Sequence, residues 1–496
     1  MKKIALCLTL VGIAGFLSAQ TLGLDAIFGV NGKVVTGLNG ISGSPYGIDF
    51  VGLPDGEIMI GGSLADYVGL EKYDNAGALD PMFSTSLIAS DGLEVGVAVQ
   101  KDGKVLLAAE NPVGLSTFVA RMDAFGKLDP SFGNGGIAQT SVTHFWVHNV
   151  FVQSDGKVVV FGDEWTNFSS FSAVRFLSNG TLDSSFATNG KLSIDLPDYT
   201  YEVPIAMLEQ PDHKLLFVGT IRYFTGNVLL VRINPDGTRD DTFGEGGLVI
   251  DPIEGNSSAY ALALQPDGKI LLTGDTGPNP QAIVARYLSD GTRDLGFGNE
   301  GVQYLPELYE GVGIAVFPDG KILTANWSTN ATLGNLALAQ LLPNGQRDQA
   351  FGDNGVFRII NPGMHPRALS LIGNKATVSA RKLTGTNQKQ LFRFLLDLNV
   401  GTLNPNNSVE PSLWVYPNPI AEQFTLKFGL TQKEQVGIHL FDMNGKQVQS
   451  FVQNQSFEQG EHEINLFCAD HLAAGNYALS LEVAGKKLSS IQIVKR

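Results

Sequence analysis

The stretch FGEGGLVIDPIEGNSSAYALALQPDGKILLTGDTGPNPQAIVARYLSDGTRD, residues 243–294, decides the fold because its arrangement recurs along the whole chain. Its opening Phe recurs every 49 to 57 residues, as Phe28, Phe83, Phe132, Phe186, Phe243, Phe297 and Phe351. A second anchor lies about midway between them, at Asp55, Asp102, Asp155, Asp212, Asp267, Asp319 and Asn374. A period of this length, kept over seven copies, indicates an array of supersecondary units.

Each copy predicts four short antiparallel strands. In the quoted stretch the apolar segments are 248–250, 260–264, 270–273 and 283–287, and all are rich in strand-forming residues. Asp267-Gly268 and Asp290-Gly291 supply the positive φ values of tight turns. Residues 261–264 are apolar on both sides of the strand, as expected for a sheet packed between two neighbours.

The pattern therefore predicts an all-β fold, a seven-bladed β-propeller of repeats about 54 residues long. A parallel β-helix has about half this period, and a helical solenoid needs a 3.6-residue periodicity that is missing here. We expect the recurring Phe to fill the gap between adjacent blades, which is a structural role.

The two ends of the chain differ from the repeats. Residues 1–19 combine Lys2 and Lys3 with an apolar stretch and small residues before Gln20, the pattern of a secretory signal peptide. No later segment is long and apolar enough for a membrane-spanning helix. Residues 20–403 are then the propeller, and a polar, Pro-containing linker is predicted over 404–411. Residues 412–496 carry a different strand pattern, which predicts a small Ig-like β-sandwich.

Charge and cysteine content limit the possible partners. Once Lys2 and Lys3 leave with the signal peptide, 32 basic residues face 49 acidic ones, a net charge of −17. This charge argues against nucleic acid or an anionic membrane as a partner and suits solubility outside the cell. Cys468 remains alone after the signal peptide is removed, so no intramolecular disulfide can form. We expect a monomer held together by packing.

The repeats resemble the delta-60 repeats of secreted bacterial proteins. The resemblance covers about residues 22–403 and rests on the Asp-Gly-Lys turn, the Asn/Asp-Gly-x-x-Asp element and the following Phe-Gly. It implies a β-propeller. His213 replaces the turn Gly in one copy, and no Gly follows Phe83 or Phe186. The last repeat ends without a closing Phe, which we interpret as a terminal repeat that has no successor to anchor.

Residues 412–496 resemble the type A C-terminal sorting domain of the type IX secretion system of Bacteroidetes. The residues that carry this resemblance are Tyr416, Pro417, Asn418, Pro419, Asp442, Gly445, Lys446, Gly475 and Tyr477. The resemblance implies a secreted or outer-membrane-anchored protein, with the type IX machinery as the partner of this domain. It also implies that the domain is removed after it has directed passage through the outer membrane.

Candidate metal ligands are few. Asp236, Asp240, Asp241 and Glu245 lie in one stretch, with thinner sets around Asp290 and Asn344, but their spacing differs from that of a calcium loop. We expect these side chains to cap turns, with calcium as a minor alternative and no other cofactor. His144 and His148 would share one face of a regular strand, yet a third metal ligand is missing, so a loop or blade-face pair is expected.

The topology gives the ring two unlike sides. In each repeat the Asp-Gly hairpin and the Asp-x-x-Phe connection must emerge on one side, here called the repeat face. The other two connections emerge on the opposite side, the variable face, because they differ between copies. They carry Tyr46, His144, Trp146, Trp165, Phe168, Phe171, Tyr199, Tyr201, Tyr223, Phe224, Tyr309 and Trp327. Variable aromatic loops on a rigid ring predict a binding face, although such aromatics also cover blade edges.

The sequence shows no recognisable nucleophile frame, phosphate loop or catalytic pair of carboxylates. The leading hypothesis is therefore a non-enzymatic binding or scaffold protein with an unidentified protein or glycan ligand. The alternative is an extracellular propeller hydrolase or lyase that acts on glycans, with acidic residues near the central channel.

Overall fold

The structure is a computed structural model that describes residues 23–495, apart from 40–49, 65–66, 85, 91–94, 111–115, 144, 166–168, 197–200, 223–225, 278–279, 329–334, 360–362, 383–387, 397–412, 417–422, 431, 443–445, 470–471, 473–474 and 484–485. The chain divides into two compact units, Met1–Asp397 and Leu398–Arg496. Regular structure in the described part is β-strand, apart from one short 3₁₀ turn, Ile253–Gly255. This part of the chain contains no helix with the length and apolar character needed to cross a bilayer.

The first unit is an all-β propeller, as the repeats predict. Its described strands form seven antiparallel sets of four, called blades 1 to 7, and one further short strand, Gly23–Leu24, pairs with Gln388–Leu395 of blade 7. Blade 1 contains Phe50–Gly52, Ile58–Leu64, Tyr67–Tyr73 and Ile88–Ala89. Blade 2 contains Val95–Val99, Val105–Glu110, Ser116–Met122 and Ile137–Thr143. Blade 3 contains Phe145–Val152, Val158–Trp165, Ser169–Phe176 and Lys191–Ile194. Blade 4 contains Tyr201–Glu209, Leu215–Arg222, Gly226–Ile233 and Leu248–Asp251. Blade 5 contains Ser257–Leu264, Ile270–Thr276, Gln281–Tyr287 and Val302–Leu305. Blade 6 contains Glu310–Val316, Ile322–Ser328, Asn335–Leu341 and Val356–Ile359. Blade 7 contains Met364–Ile372, Lys375–Lys382, Gln388–Leu395 and, as its fourth strand, Lys33–Asn39.

The first strands of successive blades pack side by side around the axis, and that of blade 7 packs against that of blade 1. A separate hydrophobic core fills each gap between neighbouring blades. In blade 5, Leu262 and Leu264 face the core shared with blade 4, while Ala261 and Ala263 face the core shared with blade 6. This two-sided burial explains why the strand is apolar on both faces.

Blades are offset from sequence repeats by one strand, and this offset closes the ring. The strand that follows each recurring Phe pairs with the preceding blade, as Leu248–Asp251 pairs with Gly226–Ile233. The N-terminal strand Lys33–Asn39 accordingly pairs with Gln388–Leu395 and completes blade 7. Phe28 is therefore the closing Phe of the last repeat. The interpretation that this repeat has nothing to anchor is wrong, because its anchor is supplied from the other end of the chain.

The recurring Phe fills the gap between blades, as predicted, and an Arg that the sequence analysis did not single out covers it. Six of the seven rings are at most 1 % exposed, whereas Phe83 is only partly buried. In five repeats an Arg guanidinium lies 4.0 to 4.6 Å from the Phe ring centroid, in the pairs Arg121–Phe132, Arg175–Phe186, Arg232–Phe243, Arg286–Phe297 and Arg393–Phe28. Each Arg also donates to a backbone carbonyl of the next blade, so that it joins the two blades.

The two recurring motifs of the repeat face bind each other. The Lys of the Asp-Gly-Lys turn reaches the Asp of the Asp-x-x-Phe connection at 2.8 to 3.3 Å in the pairs Lys104–Asp129, Lys214–Asp240, Lys269–Asp294 and Lys321–Asp348. In the first three of these blades the same Asp also pairs with the Arg that covers the Phe. The repeated residues of the sequence therefore form a structural network between blades.

This network predicts a loss of stability in acid. Burial alone would raise the pKa of Asp183, but donation from Ser185 and the charge of Arg175 hold that pKa below its ordinary value. Comparable partners lower the pKa of Asp129, Asp240 and Asp294. A lowered folded-state pKa stabilises the fold above the unfolded Asp pKa of about 4, and this contribution is lost as the pH falls below it. We expect the urea concentration at the unfolding midpoint to decrease as the pH is lowered from about 4.5 to 2. Asp183→Asn should lower the midpoint at pH 7 and flatten the pH dependence, and a midpoint constant with pH would contradict the prediction.

His213 occupies a left-handed turn position, as its place in the repeat predicts. Its φ is 66°, against 82° to 86° for Gly56, Gly103, Gly156, Gly268 and Gly320. Its exposed imidazole lies 3.0 Å from Glu209 Oε1, a contact of small net value at a surface. We expect His213→Gly to raise the urea midpoint, because it relieves the backbone strain of the turn. The gain in the free energy of unfolding should be less than about 1 kcal/mol. Gly268→His, the reverse change in blade 5, should lower the midpoint. A lower midpoint for His213→Gly would show that the contact with Glu209 outweighs the strain.

The second unit is a β-sandwich of two sheets. One sheet contains Leu413–Tyr416, Gln423–Leu430 and Gly460–Phe467, and the other Gln447–Phe457, Glu434–Asp442, Gly475–Val483 and Lys486–Lys495. The two sheets share a core that includes Phe424, Leu426, Ile438, Leu440 and Leu479. The unit thus has a core of its own.

Two strands of this sandwich form the hairpin that the sorting-domain motif predicts, with Asp442 at the end of one strand and the exposed Lys446 just before the next. Gly475 and Tyr477 begin a late strand, with Tyr477 buried. Tyr416 ends the first strand. Pro417, Asn418, Pro419 and Gly445 lie outside the described residues.

Candidate functional site

A cavity of about 260 Å³ lies among the first strands of blades 3 to 7. Its polar lining is His148, Asn149, Tyr260, Glu310 and Arg367, and the rest is apolar or glycine. The strands run from the variable face toward the Asp-Gly turns, and most of the lining residues lie near the middle of their strands. The cavity therefore lies inside the ring, between the variable face and the repeat face.

In each of these five blades, one residue of the lining is placed there by a β-bulge in the first strand. The residues, here called the bulge ring, are His148, Ile205, Tyr260, Val312 and Arg367. At each of them the pairing with the second strand shifts by one residue, so the residue is the extra member of a β-bulge. Bulges re-aim side chains and are common beside functional sites.

In blades 3, 4 and 5, a glycine on the second strand makes room for the bulge. A Cβ at Gly162, Gly219 or Gly274 would lie 1.7 to 2.0 Å from a carbonyl oxygen of the bulged strand, which is impossible without a backbone shift. Blade 6 has Asn326 here, which is buried and donates to Thr324. These glycines inside strands are therefore a consequence of the bulge.

His148 joins blades 3 and 4 at the cavity wall. Its Nε2 lies 2.7 Å from Asp163 Oδ1, and its Nδ1 lies 2.5 Å from the backbone oxygen of Pro204. Ser169 donates to the other Asp163 oxygen at 2.6 Å. A carboxylate and a carbonyl only accept hydrogen bonds, so both contacts are satisfied when both ring nitrogens carry protons. The geometry thus favours a positively charged imidazolium at this wall.

An aromatic cluster adjoins the cavity between blades 6 and 7. Glu310 lines the cavity, and its Oε2 lies 3.1 Å from His365 Nε2. Trp327 is paired with Glu310 across the strands and packs edge-on against Tyr309, with ring centroids 4.9 Å apart. Its ring centroid also lies 4.6 Å from that of His365. The buried indole N–H of Trp327 has no hydrogen-bond acceptor among the described residues. The cluster therefore offers an aromatic surface and a donor beside a carboxylate.

Glu202 is a buried carboxyl near the variable face, at the start of the first strand of blade 4. Burial raises its pKa to about 7, with the nearby Asp195 acting in the same direction and a hydrogen bond from the Leu196 amide opposing it. A carboxyl with such a pKa can exchange a proton near neutral pH.

The structure describes six of the twelve residues predicted for the binding face. Trp146 is 46 % exposed, and Tyr309 and Trp327 form the half-buried pair beside the cavity. Trp165 and Tyr201 lie at strand ends on this side. Tyr46, His144, Phe168, Tyr199, Tyr223 and Phe224 fall outside the described residues.

The prediction is wrong for Phe171. This ring is 1 % exposed and packs edge-on against Phe217, 5.0 Å away, in the core between blades 3 and 4. The strand begins at Ser169, two residues before Phe171, so the ring belongs to a regular strand and not to a loop.

The expectation of a paired His144 and His148 also needs correction. It assumed a regular strand, whereas the register shifts at His148, and His148 is buried against Asp163 rather than in a loop. The acidic turns behave as caps: Asp236 and Asp290 accept hydrogen bonds from the backbone two residues later. Asp240 faces Arg232 and Lys214. Calcium binding at these turns stays the minor alternative to capping.

Two family profiles match the chain. A β-propeller domain of unknown function, DUF5122, matches residues 153–186, 210–243, 265–297 and 318–351, and a secretion system C-terminal sorting domain matches 414–495. The chain combines DUF5122 β-propeller repeats with a type IX sorting domain. The sorting domain marks it for export to the cell surface or the extracellular space. No curated protein matches the sequence.

Solved structures match the chain at low sequence identity. A polysaccharide lyase of family PL25, an ulvan lyase, is 11 % identical, covers 73 % of this chain and 96 % of its own, and has a TM-score of 0.45. The polysaccharide lyase Uly1 is 9 % identical, covers 75 % of this chain and 92 % of its own, and has a TM-score of 0.44. An α-L-arabinofuranosidase from Lactobacillus brevis is 10 % identical, covers 50 % and 90 %, and has a TM-score of 0.31.

These matches correct the expectation that the protein is not an enzyme. Polysaccharide lyases and a glycosidase are among the matching structures, all with TM-scores below 0.5. They assign no reaction to this chain. The structure also shows why the exclusion was unsafe: Glu310 with His365 and Asp163 with His148 are close acid–histidine pairs that lie far apart in the sequence.

Tyr260, Glu310, His365 and Arg367 were missed by the sequence analysis. A usable signal does exist for the bulge ring. Each of its members lies seven residues before the turn anchor of its repeat, as His148 does before Asp155 and Arg367 before Asn374. This position varies between His, Ile, Tyr, Val and Arg in an otherwise repetitive pattern. Chemically different residues at one position of a repeated strand are compatible with a site carried on a rigid scaffold.

Proposed function

We propose that the protein binds an extracellular saccharide on the variable face, with the central cavity as the deepest part of the site. The observation that carries the proposal is the Tyr309–Trp327 pair, which lies beside Glu310, the carboxylate of the cavity lining. Binding sites typically combine apolar and aromatic walls with a few polar groups that fix orientation.

The chemistry of these groups suits a sugar. Aromatic rings present flat apolar surfaces that can cover the C–H face of a sugar ring. Glu310 accepts hydrogen bonds from hydroxyls, and the indole N–H of Trp327 donates one. A cavity of about 260 Å³ lies below the usual size of a site for a drug-sized ligand, so it accommodates one sugar unit or chain end rather than a long segment. Export by the type IX system delivers the propeller to where polysaccharides are found.

The test is a binding survey of the full-length chain, produced without residues 1–19, against an array of neutral and acidic oligosaccharides. Trp327→Ala and Tyr309→Ala should weaken binding at least tenfold, about 1.4 kcal/mol each. Phe125→Ala is the matched control, because Phe125 is 57 % exposed in a turn of the repeat face. Equal losses in all three variants, or binding of protein ligands alone, would contradict the proposal.

A second candidate function, cleavage of the bound saccharide, is favoured by one observation. Glu310 lies in the cavity 3.1 Å from His365, and His148 lies in its wall 2.7 Å from Asp163. Acid–histidine pairs at a cavity are the groups that transfer protons in general acid–base catalysis. Release of reducing ends or unsaturated products from a bound saccharide, lost in Glu310→Gln while binding remains, would support cleavage. Binding without any product would contradict it.

A further inference from the structure

We infer that the group entering the cavity is acidic, a carboxylate or a sulfate ester of the saccharide, recognised by Arg367 of the bulge ring. This inference rests on the proposed function, because it specifies the ligand of the same site.

The first support for an acidic ligand is the distribution of polar residues around the bulge ring. The polar members His148, Tyr260 and Arg367 belong to blades 3, 5 and 7, and the apolar members Ile205 and Val312 belong to the blades between them. The polar members of the bulge ring thus reach the cavity from three blades, and Glu310 lines it from blade 6, between Tyr260 and Arg367. A guanidinium carries a fixed fork of donors that matches the two oxygens of a carboxylate or sulfate.

Hydrogen-bond donors in and beside the cavity lining are the second support. Trp327, whose ring packs on His365 two residues before Arg367, has its buried indole N–H without an acceptor in the described part of the chain. An unsatisfied buried donor favours a ligand that supplies an oxygen acceptor. Tyr260 adds a hydroxyl to the cavity lining, where it donates to Asp275 Oδ2 at 3.5 Å. An acidic oxygen group accepts from several donors at once, which a single sugar hydroxyl cannot do to the same extent.

Each acidic side chain of the site has a hydrogen-bonding partner. Glu310 is paired with His365, and Asp163 with His148, both in the cavity wall or directly behind it, and Asp275 accepts from the Tyr260 hydroxyl. The protein as a whole carries a charge of −17 without residues 1–19, counting 32 basic and 49 acidic residues. Its outer surface therefore repels polyanions, and preferential binding of an acidic saccharide reports a local site rather than a basic patch.

The experiment compares three probes on the full-length chain without residues 1–19: oligogalacturonate for carboxylate, sulfated dextran oligomers for sulfate, and dextran oligomers of equal length as the neutral probe. Titration calorimetry on the parent and on Arg367→Gln, Arg367→Lys and Tyr260→Phe gives the affinities. Arg358→Gln is the matched control, since Arg358 lies on the fourth strand of blade 6, outside the cavity, near Glu307. Urea midpoints close to that of the parent show that each variant is folded.

We expect the parent to bind one acidic probe at least tenfold more tightly than dextran, and the probe that binds identifies the acid. Arg367→Gln should lose at least tenfold on that probe and nothing on dextran, Arg367→Lys should recover part of the loss, and Arg358→Gln should match the parent. If dextran binds as well as the acidic probes, or Arg367→Gln keeps full affinity, the inference is overturned. The proposed function survives that result when Trp327→Ala still weakens binding. If none of the saccharides on the array or among the probes binds, both fail.

Discussion

Phe28→Ala is expected to destabilise the propeller by about 3–5 kcal/mol, the usual cost of emptying a fully buried Phe site. Phe28 is fully buried in the core between blades 7 and 1, under the guanidinium of Arg393 at 4.0 Å. Arg393 in turn donates to the backbone oxygens of Asn75 and Gly56 in blade 1. The residue near the start of the chain thus completes the contact between the last blade and the first. Urea unfolding of the full-length chain without residues 1–19 measures the effect.

Phe83→Ala is the matched control for Phe28→Ala, because it removes the same side chain at the same repeat position. Phe83 is only partly buried, so its loss should cost about 1 kcal/mol. Deleting residues 20–39 should have a still larger effect, since it removes the fourth strand of blade 7 together with Phe28. Equal losses for the two Phe variants, or a cooperatively folded propeller after the deletion, would show that the ring does not depend on this closure.

Removing residues 412–496 is expected to abolish the appearance of the protein at the cell surface and in the medium, and to leave the propeller folded in the periplasm. The first half follows from the sorting domain. The second follows because the sandwich and the propeller have separate cores, so each is expected to fold without the other. Cell fractionation with immunoblotting locates the protein, and resistance to protease tests whether the trapped propeller is folded.

A point variant provides the control for that deletion. Phe467 is a 62 % exposed side chain of the sorting domain, away from its core, and Phe467→Ala should leave export unchanged. Normal export of the truncated chain would contradict the role of the domain. Loss of export in Phe467→Ala would instead assign this exposed ring to recognition by the machinery.

The sequence predicted those features that are local to a repeat. The Asp-Gly turns, the four strands and the left-handed backbone at His213 depend on residues a few positions apart, so their signals repeat seven times. The Phe that fills each gap was also predicted, because a large apolar residue kept at one position indicates burial. The sandwich of residues 412–496 followed from its own strand pattern.

Features that depend on contacts between repeats could not be predicted in the same way. Arg232 donates to the carbonyl of Ser289, 57 residues later, and one copy of the repeat does not show that partner. Phe28 was counted with the first repeat, although it closes the last one. The β-bulge at His148 breaks the two-residue alternation on which strand faces are assigned, so a pair with His144 was predicted where the structure has an ion pair with Asp163.

The candidate site was predicted only in outline. The topology indicated the variable face, and Tyr309 and Trp327 were among the predicted aromatics. The cavity was missed, because Tyr260, Glu310 and Arg367 come from three blades, and the repeat position that Tyr260 and Arg367 share carries a different residue type in each blade.

A crystal structure of the full-length chain without residues 1–19, soaked with the acidic oligosaccharide that binds most tightly, tests the central claim most directly. We predict electron density for a sugar in the central cavity, with an acidic group within hydrogen-bond distance of Arg367 and a ring against Tyr309 or Trp327. Density on the repeat face or along the outer blade edges, with the cavity free of sugar, would contradict the assignment of the site.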